Sequence, residues 1–530
     1  MDHRICDVLV IGSGAAGLRA AAAARQAGAR VLVVSRGAPG KAGATILSGG
    51  AFAGSRDGEP PAGHLERTLN TGRGLNQRSL AEVLAAEAPD RLKELVTWGF
   101  DGVFHDGYLF SRGRAPVWGE RIVRCLVERN RALGSEFQPG LAIAHLRMEE
   151  GGGLATAWAT ASGKPQTIGA RAIVLATGGA GGLYARHDNP RGIVGEGYAL
   201  ALRAGAVLQD MEFVQFYPLG LAEPGLPRHM VPPRLGDHGR LANDAGEDIY
   251  EKYGITERPA AEKARDRLSQ ALFKEIYREG RRVRLDLTGV SEERWTSDPL
   301  SASTLGTIGK RCGACRRPLM VAPMAHHTMG GVHIDPRGAT SVPGLFAAGE
   351  VAGGLHGANR MGGNALSETL VFGKRAGEAA AEWAAAHPKT PPAAAGASPA
   401  DRSAMPAGGV PVSVISGMKR RLGMVLWEDG GVIRNRAGLE RALNSVGALE
   451  AELQASRGSG TPPCGPARVL SLTAGIETGR LILQAALRRT ESRGAHYRED
   501  HPETDDSRWL GHLRVHLSED GRYNWFFKKL

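Results

Sequence analysis

Cysteine is scarce in this chain, with five residues in 530, too few for a disulfide framework or a full iron–sulfur ligand set. No apolar run reaches the ~18 to 20 residues that cross a bilayer. The longest candidate, around Leu18 to Ala24, contains Arg19 and is followed by Arg25. No basic, apolar and small-residue leader precedes the first apolar strand. These absences predict a reduced, cytoplasmic chain, with any membrane link peripheral, on the inner face and through a partner.

Blocks of one-signed charge are also missing, although the formal net charge is +11, because 66 Lys and Arg residues are interspersed with 55 acidic ones. Such scatter disfavours nucleic acid as a partner and favours small anions. The alternative is a solvated basic surface with no specific partner. With 42% hydrophobic and 23% charged residues, the composition excludes global disorder. The length predicts several domains of about 100 to 200 residues each.

The chain does carry a βαβ pattern at its start. An apolar strand, Asp7 to Ile11, leads through a glycine turn into an alanine-rich helix that ends near Ala27, and a second strand follows from Arg30 to Ser35. The turn reads G-x-G-x-x-G, which lets backbone amides and the helix N-terminus approach a pyrophosphate. The alternative is a tight turn needed only for packing. In this context the pattern predicts a dinucleotide site, for FAD or NAD.

Later segments indicate further organisation. The strand Ala172 to Ala176 ends in a second glycine cluster, and a third strand-to-glycine boundary lies near Leu345. Between Glu223 and Val321 a charged, helix-rich pattern indicates an inserted domain. The segment His387 to Pro411 is rich in Pro and Ala, as is typical of a linker, and amphipathic helical patterns fill Val412 to Arg489.

Blocks spread over nearly the whole chain identify a family. They are KAGATILSGGAF, ATGGAGGLY, NPRGIVGEGYALALRAGAVLQDMEFVQFYP, KARDRLSQALF, the run from APMAHHTMGG to SETLVFGKRAG, and ESRGAHYREDHPETDDSRWL. In these blocks the chain resembles the flavoproteins of fumarate reductase, succinate dehydrogenase and L-aspartate oxidase. The resemblance implies an α/β fold: a Rossmann-like FAD-binding domain in two parts (1–222 and 323–386), an inserted α+β capping domain (223–322), a linker (387–411) and a helical C-terminal domain (412–530).

The resemblance also implies the cofactor FAD. The positions that would contact it offer mostly backbone or hydroxyl groups: Gly12, Gly14, Ala15, Gly17, Ser35, Thr45, Gly49, Gly50, Thr177, Gly178, Glu196, Glu350, Asn364, Ala365 and Leu366. Ser35 stands where an acidic residue usually holds the ribose, so ribose binding would rely on a hydroxyl. Covalently flavinylated members carry a histidine where this chain has Ala44. The FAD is therefore predicted to be non-covalent.

Three further matches carry the chemistry that the resemblance implies. Arg265 matches the family's proton-donating arginine, and His326 and Arg360 match its carboxylate-binding residues. Together they would serve hydride transfer between FAD N5 and a small dicarboxylate such as fumarate or succinate. The alternative for Arg265 is a solvated charge on a helix face beside Lys263 and Arg267, and for His326 a structural core histidine.

Two positions depart from the family pattern. Tyr217 replaces the histidine of Q-F-H-P, and Val231-Pro232 replaces a Thr-Glu or Ser-Glu pair, so two hydrogen-bonding partners of a dicarboxylate have changed. The hydroxyl of Tyr217 can still donate, and Arg234, His229 and His238 are candidate replacements. Substrate identity is therefore less defined than reaction class.

The wording GGNALSE and QFYPLG is most similar to thiol-dependent fumarate reductases, with L-aspartate oxidase as the second interpretation. A third is a flavin electron-transfer subunit whose substrate site has decayed. Since the chain lacks an iron–sulfur cysteine set, electrons must pass through an iron–sulfur or quinone-linked partner or a small reductant.

Cys312 and Cys315 form a C-x-x-C pair among basic residues that would favour thiolates. A structural zinc needs four ligands and no second pair exists, so no metal is predicted. The pair is either redox-active, a partner-docking element, or two inert loop cysteines.

Overall fold

The computed structural model describes residues 2–55, 59–113, 118–389, 410–456 and 465–530. Most of the expected linker, residues 390–409, lies outside these described residues. The strands, in chain order, are β1 Asp2–Ile11, β2 Val31–Ser35, β3 Ala51–Ala53, β4 Gly102–His105, β5 Tyr108–Ser111, β6 Glu136–Pro139, β7 Leu141–Glu149, β8 Gly152–Ala159, β9 Pro165–Leu175, β10 Leu208–Gln209, β11 Val214–Leu221, β12 Arg240–Asn243, β13 Val283–Asp286, β14 Leu319–Thr328, β15 Gly331–His333, β16 Leu345–Ala347, β17 Ala352–Gly353, β18 Gly511–Leu517 and β19 Tyr523–Lys529.

The α-helices, in chain order, are α1 Ala15–Gln26, α2 Pro61–Thr71, α3 Arg78–Thr97, α4 Trp118–Leu133, α5 Glu196–Arg203, α6 Pro233–His238, α7 Ile249–Lys252, α8 Ala260–Lys263, α9 Arg265–Phe273, α10 Glu292–Trp295, α11 Pro299–Thr304, α12 Asn364–Ala386, α13 Val412–Glu428, α14 Arg436–Ala455, α15 Pro466–Arg488 and α16 Asp506–Trp509. Within the described ranges, none of them is both long and apolar enough to cross a membrane.

The largest sheet has the strand order β6-β2-β1-β9-β8-β7. Strands β6, β2, β1 and β9 run parallel, and the long β9 pairs first with β8 and then, near its C-terminal end, with β16. Val8, Leu9 and Val10 are fully buried, as is typical of a parallel strand covered on both faces. The predicted βαβ unit is present, but β1 begins at Asp2 because its polar first residues pair with β9.

Helices α1 and α12 pack closely against each other and cover this sheet. A β-carbon on Gly377 would lie 2.2 Å from the Ala20 carbonyl oxygen, and one on Gly373 would lie 2.8 Å from that of Ala16. The absence of side chains at these glycines allows the close approach. The two helices therefore run parallel, with the first turn of α1, which follows β1 and its glycine turn, packed against the middle of α12.

The region between residues 223 and 322 is built on a second sheet with the order β11-β14-β13-β12. Strand β14 crosses the expected boundary between residues 322 and 323, and β11 lies wholly in the segment before residue 223. The stretch 260–280, which reads as one charged helix, is divided into α8, α9 and a π-helical turn, Lys274–Arg278. The division between α8 and α9 occurs at Ala264, whose φ of −121° and ψ of 33° are not helical. This break makes Arg265 the first residue of α9.

The predicted C-terminal helices are present as α13, α14 and α15, and they are followed by a hairpin that the sequence analysis missed. Strands β18 and β19 pair along their whole length. Strand β18 also pairs with β10, which completes a sheet with the order β17-β15-β10-β18-β19. The alternating Tyr523, Trp525 and Phe527 were the available signal for a strand.

Buried charges between Arg489 and Arg493 join the C-terminal region to the segment after β10. Arg489 is fully buried and donates from Nε to Glu212 and from Nη1 to Glu491 at 3.0 Å, and its Nη2 lies 3.5 Å from Asp210 Oδ1. Arg493 donates to Glu491 at 2.9 Å. We call Asp210, Glu212, Arg489, Glu491 and Arg493 the buried ion cluster.

Candidate active site

The glycine turn that follows β1 forms one end of the site. Gly12 has a φ of +117°, and a β-carbon there would lie 2.1 Å from the Ala176 carbonyl oxygen. Gly14 precedes α1 and offers no side-chain cap, and the first turn of α1 has no acidic residue. The Ala15 amide donates to Thr45 Oγ1 at 3.1 Å. The helix N-terminus is thus open to an anionic ligand such as a pyrophosphate.

A cavity of about 520 Å³ extends from this turn to the 223–322 region. It is lined by most of the predicted cofactor positions and by all three predicted catalytic residues: Gly12, Gly14, Ala15, Ser35, Thr45, Gly49, Gly50, Thr177, Gly178, Glu196, Glu350, Ala365, Leu366, Arg265, His326 and Arg360. Positions that are far apart in the chain are therefore brought together around one space.

Gly17 and Asn364 do not line the cavity. A β-carbon on Gly17 would lie 2.0 Å from the Gly12 carbonyl oxygen, so this glycine allows α1 to pack against the turn. The Asn364 side chain contacts α2 instead, with Oδ1 2.9 Å from His64 Nε2 and with Nδ2 donating to Thr68 Oγ1 at 2.9 Å. These two positions therefore contribute to the packing around the site rather than to the cavity surface.

The end of β2 carries a hydroxyl and an ion pair. Ser35 Oγ donates to the Gly37 carbonyl at 2.8 Å and can still accept a hydrogen bond. The next residue, Arg36, places Nη1 2.5 Å from Glu196 Oε1, and burial raises the pKa of Glu196. Both members of this pair line the cavity. The cationic partner of Glu196 was not assigned from the sequence.

Arg265 is buried, with an exposed fraction of 4%, whereas Lys263 and Arg267 are exposed. Its Nε donates to the Ala261 carbonyl at 3.1 Å and its Nη1 to the Arg360 carbonyl at 3.3 Å. Burial lowers the pKa of Arg265. The interpretation of Arg265 as one of three solvated charges is therefore wrong, because the break at Ala264 turns it inward.

Arg360 is held next to Arg265. Its Nε donates to Gln215 Oε1 at 3.1 Å and its Nη1 to the Met361 carbonyl at 3.2 Å. Burial, and secondly the charge of Arg265, lower the pKa of Arg360 to about 9. Within the described parts of the chain, no carboxylate is hydrogen-bonded to either guanidinium group, and two such neighbouring cations favour an anion.

His326 is oriented by a residue that the sequence analysis missed. Its Nδ1 lies 2.6 Å from Asp188 Oδ2, and both side chains line the cavity. A carboxylate at Nδ1 fixes the orientation of the imidazole and leaves Nε2 as the ring nitrogen that can contact another group. The sequence analysis singled out the glycines of the segment ATGGAGGLYARHDNP. Asp188 lies in the same segment after a strand, but it was not singled out.

Tyr217 does not offer its hydroxyl to the cavity. The hydroxyl donates to the backbone carbonyl of Val231, so the two positions that depart from the family pattern contact each other. Burial raises the pKa of Tyr217, which keeps the phenol neutral. Of the suggested replacement donors, Arg234 lines the cavity, whereas His229 and His238 do not.

One group in the described part of the chain has the composition of a metal site. His327, His356 and Glu368 are buried and place one ligand atom each within 4.8 Å of the others. His356 Nε2 already lies 3.0 Å from Glu368 Oε2. Burial, and after it the positive charges of Arg360 and other neighbours including Arg265, lower the pKa of His327. The same positive charges disfavour a cation there.

Cys312 and Cys315 follow the π-helical turn Leu305–Arg311. Neither lines the cavity. Burial raises the pKa of both thiols, and the nearby cations lower it less. The expectation that the basic neighbours would favour thiolates is therefore wrong.

Comparisons with known proteins agree with this geometry. A family described as FAD binding domain matches residues 7–366, and one described as fumarate reductase flavoprotein C-term matches residues 419–525. A fumarate reductase (CoM/CoB) subunit from Methanothermobacter marburgensis is 35% identical over 94% of this chain and 95% of its own length. L-aspartate oxidase of Streptomyces coelicolor is 33% identical over 97% of this chain and 92% of its own length.

The fold has the same relatives. A solved structure of a variant of the quinol fumarate reductase protein FrdA from E. coli superposes with a TM-score of 0.86 at 27% identity, covering 100% of this chain and 97% of that one. The fold and the cavity thus define an FAD-dependent oxidoreductase. The chain belongs to the fumarate reductase and succinate dehydrogenase flavoprotein family, and the predicted α/β fold with an FAD-binding and a C-terminal domain is confirmed.

Proposed function

We propose that this flavoprotein reduces the C=C bond of an activated alkene carboxylate, with fumarate as the first substrate to test, and that Arg265, His326 and Arg360 are its catalytic residues. The observation that carries the proposal is the burial of two adjacent guanidinium groups in the cavity that begins at the FAD-binding glycine turn. A carboxylate bound there would be paired with cations in a site of low dielectric.

Each residue would have a distinct role. Arg360 and His326 bind the carboxylate and withdraw electron density from the double bond as carbanion charge develops. Arg265 donates the proton to the α-carbon, since burial lowers its pKa and makes a guanidinium acid more effective. FAD, when bound, supplies the hydride from N5.

The test is anaerobic reoxidation of the dithionite-reduced protein, followed at the flavin absorbance band on addition of fumarate. Arg265→Ala is expected to slow reoxidation by about 10²- to 10⁴-fold, the usual contribution of a general acid. Arg267→Ala is the matched control, because Arg267 lies on the same helix with an exposed side chain. Unchanged reoxidation in Arg265→Ala would show that the proton comes from another group.

We further propose that the FAD is bound without a covalent bond. Ala44 lies in the short helical turn Ala44–Leu47 and lines the cavity, and its methyl group has no nucleophile for the flavin. Acid precipitation is expected to release the yellow colour into the supernatant. Colour retained in the washed pellet contradicts this proposal.

The remaining proposals concern partners and the second candidate activity. One relative is named as the flavoprotein subunit of an 8-methylmenaquinol:fumarate reductase, which supports a quinone-linked electron partner for this chain. An iron–sulfur partner and a peripheral position at the inner face of a membrane stay predictions. The similarity to an L-aspartate oxidase supports aspartate oxidation as the alternative activity. Bleaching of the flavin absorbance on addition of aspartate tests this alternative. The convergence of Arg265, His326 and Arg360 in one cavity supports catalysis over a decayed electron-transfer subunit.

A further inference from the structure

One wall of the cavity is apolar. It is formed by Met230, Pro232, Pro233 and Leu300, which we call the apolar wall. A β-carbon on Gly49 would lie 3.5 Å from Leu300 Cδ1 and 3.6 Å from Met230 Cε, so the wall faces the loop that carries predicted cofactor positions. None of its four side chains can donate a hydrogen bond.

The backbone behind this wall has no free donor at Val231. The Val231 amide donates to the Leu219 carbonyl at 2.9 Å, and the Val231 carbonyl accepts from the Tyr217 hydroxyl. The single hydroxyl proton of Tyr217 is thus committed to a buried partner. Releasing it to bind a substrate would leave a buried carbonyl unpaired.

Tyr217 separates this wall from the cationic end of the cavity. Its ring centroid lies 5.8 Å from Arg265 Cζ and 5.9 Å from the His326 ring centroid, while its hydroxyl reaches Val231. The cavity therefore has a cationic end that suits one carboxylate and an apolar side that suits hydrocarbon.

Among the described residues, three other cations line the cavity: Arg36 is already paired with Glu196, and Arg234 and Lys263 are solvated. Arg234 has a half-exposed side chain, with Nη2 3.4 Å from Asp106 Oδ2. Lys263 is exposed. A carboxylate that pairs with either group stays in contact with water and gains little. A second carboxylate on the reacting carbons would instead be desolvated against the apolar wall without a donor, which is unfavourable.

We propose that the substrate is a 2-enoate with one carboxylate and an apolar substituent on the β-carbon, an inference that rests on the proposed alkene reduction. The carboxylate binds Arg360 and His326, and the substituent lies against the apolar wall. The β-carbon gains a hydride and the α-carbon a proton, so the C=C bond becomes C–C and the saturated acid is released. The two electrons come from the reduced flavin, which the electron partner reduces again.

Binding of saturated product analogues to the oxidised holoprotein tests the inference without turnover. Butanoate and succinate are titrated and the perturbation of the flavin spectrum gives each Kd. We expect butanoate to bind about ten-fold or more tightly than succinate, because only succinate buries an unpaired carboxylate. Succinate binding as tightly as butanoate, or more tightly, overturns the inference.

Variants at the two coupled positions give the second readout. Tyr217→His combined with Val231→Thr places donors where the aromatic and aliphatic side chains now stand, and it is expected to raise the succinate affinity relative to butanoate by about ten-fold or more. Arg267→Gln, outside the cavity, is expected to leave the ratio unchanged. An unchanged ratio in a double variant that retains FAD also overturns the inference.

Reoxidation assays distinguish a failure of the enoate inference from a failure of the proposed alkene reduction. Crotonate and fumarate are added in turn to the reduced protein. If neither reoxidises the flavin, the proposed alkene reduction fails. If fumarate reoxidises it and succinate binds more tightly than butanoate, alkene reduction stands and the enoate inference alone is overturned.

Discussion

Replacing Arg489 by Met removes the central cation of the buried ion cluster while keeping a long, unbranched side chain. Glu212 and Glu491 are fully buried, and each accepts a hydrogen bond from Arg489. Breaking a buried pair from one side typically costs about 3–5 kcal/mol, because the other charge is left uncompensated. Since Glu491 keeps Arg493 as a partner, most of the loss is at Glu212. We expect destabilisation of about 3 kcal/mol.

The loss should depend on pH in a defined direction. Burial already raises the pKa of Glu212, and the charge of Arg489 opposes that rise. The Arg489→Met substitution removes this opposing charge. A carboxyl group whose pKa is higher in the folded than in the unfolded state contributes stability at low pH, and this contribution is lost as the pH rises through the folded value. The deficit of Arg489→Met should therefore be larger at about pH 8 than at about pH 5.

Urea denaturation at both pH values, followed by circular dichroism, measures this deficit. Arg441→Met is the matched control, because Arg441 forms an exposed pair with Asp429 at 2.7 Å and should change stability by less than about 1 kcal/mol. Equal losses in the two variants, or a deficit for Arg489→Met that does not change with pH, would refute the reasoning.

Gly17→Ala should reduce FAD retention on gel filtration, because the new β-carbon would lie 2.0 Å from a backbone oxygen of the glycine turn; full retention contradicts the packing role. Tyr217→Phe should cost about 1–3 kcal/mol in urea denaturation, because the buried carbonyl of Val231 loses its donor; no loss would show that water replaces the hydroxyl. Since the pKa of Arg360 is about 9, butanoate affinity should fall as the pH rises through about 9, and a flat flavin titration between about pH 7 and pH 10 opposes a role for its charge.

Local patterns accounted for much of the fold. The βαβ unit, its glycine turn and the C-terminal helices are visible because their periodicity and turn residues lie close together in the chain. The first residues of β1 were missed because Asp2 and His3 form a strand only through pairing with β9. The hairpin β18–β19 was missed although Tyr523, Trp525 and Phe527 alternate along its second strand, and its pairing with β10 joins segments about 300 residues apart, which no local pattern shows.

The candidate site depended on family resemblance rather than on pattern. Arg265 has the same spacing as two exposed cations, and only the break at Ala264 and the packing around it decide which of the three is buried. Asp188 and the contact between Tyr217 and Val231 join residues from different elements. No single-segment pattern contains that information.

The sheet that includes β10 and β18 has a consequence for synthesis on the ribosome. The amide of Leu513 donates to the side chain of Asp210, a partner 303 residues earlier in the chain. At a synthesis rate of about 5–20 residues per second, Leu513 is made about 15–60 s after Asp210. A nascent chain that stops before residue 511 exposes an open sheet edge and lacks the His512 side chain and the Leu513 amide, which both contact the Asp210 carboxylate. Such a chain is expected to be held by chaperones or degraded, even though its cofactor-binding residues have all been translated.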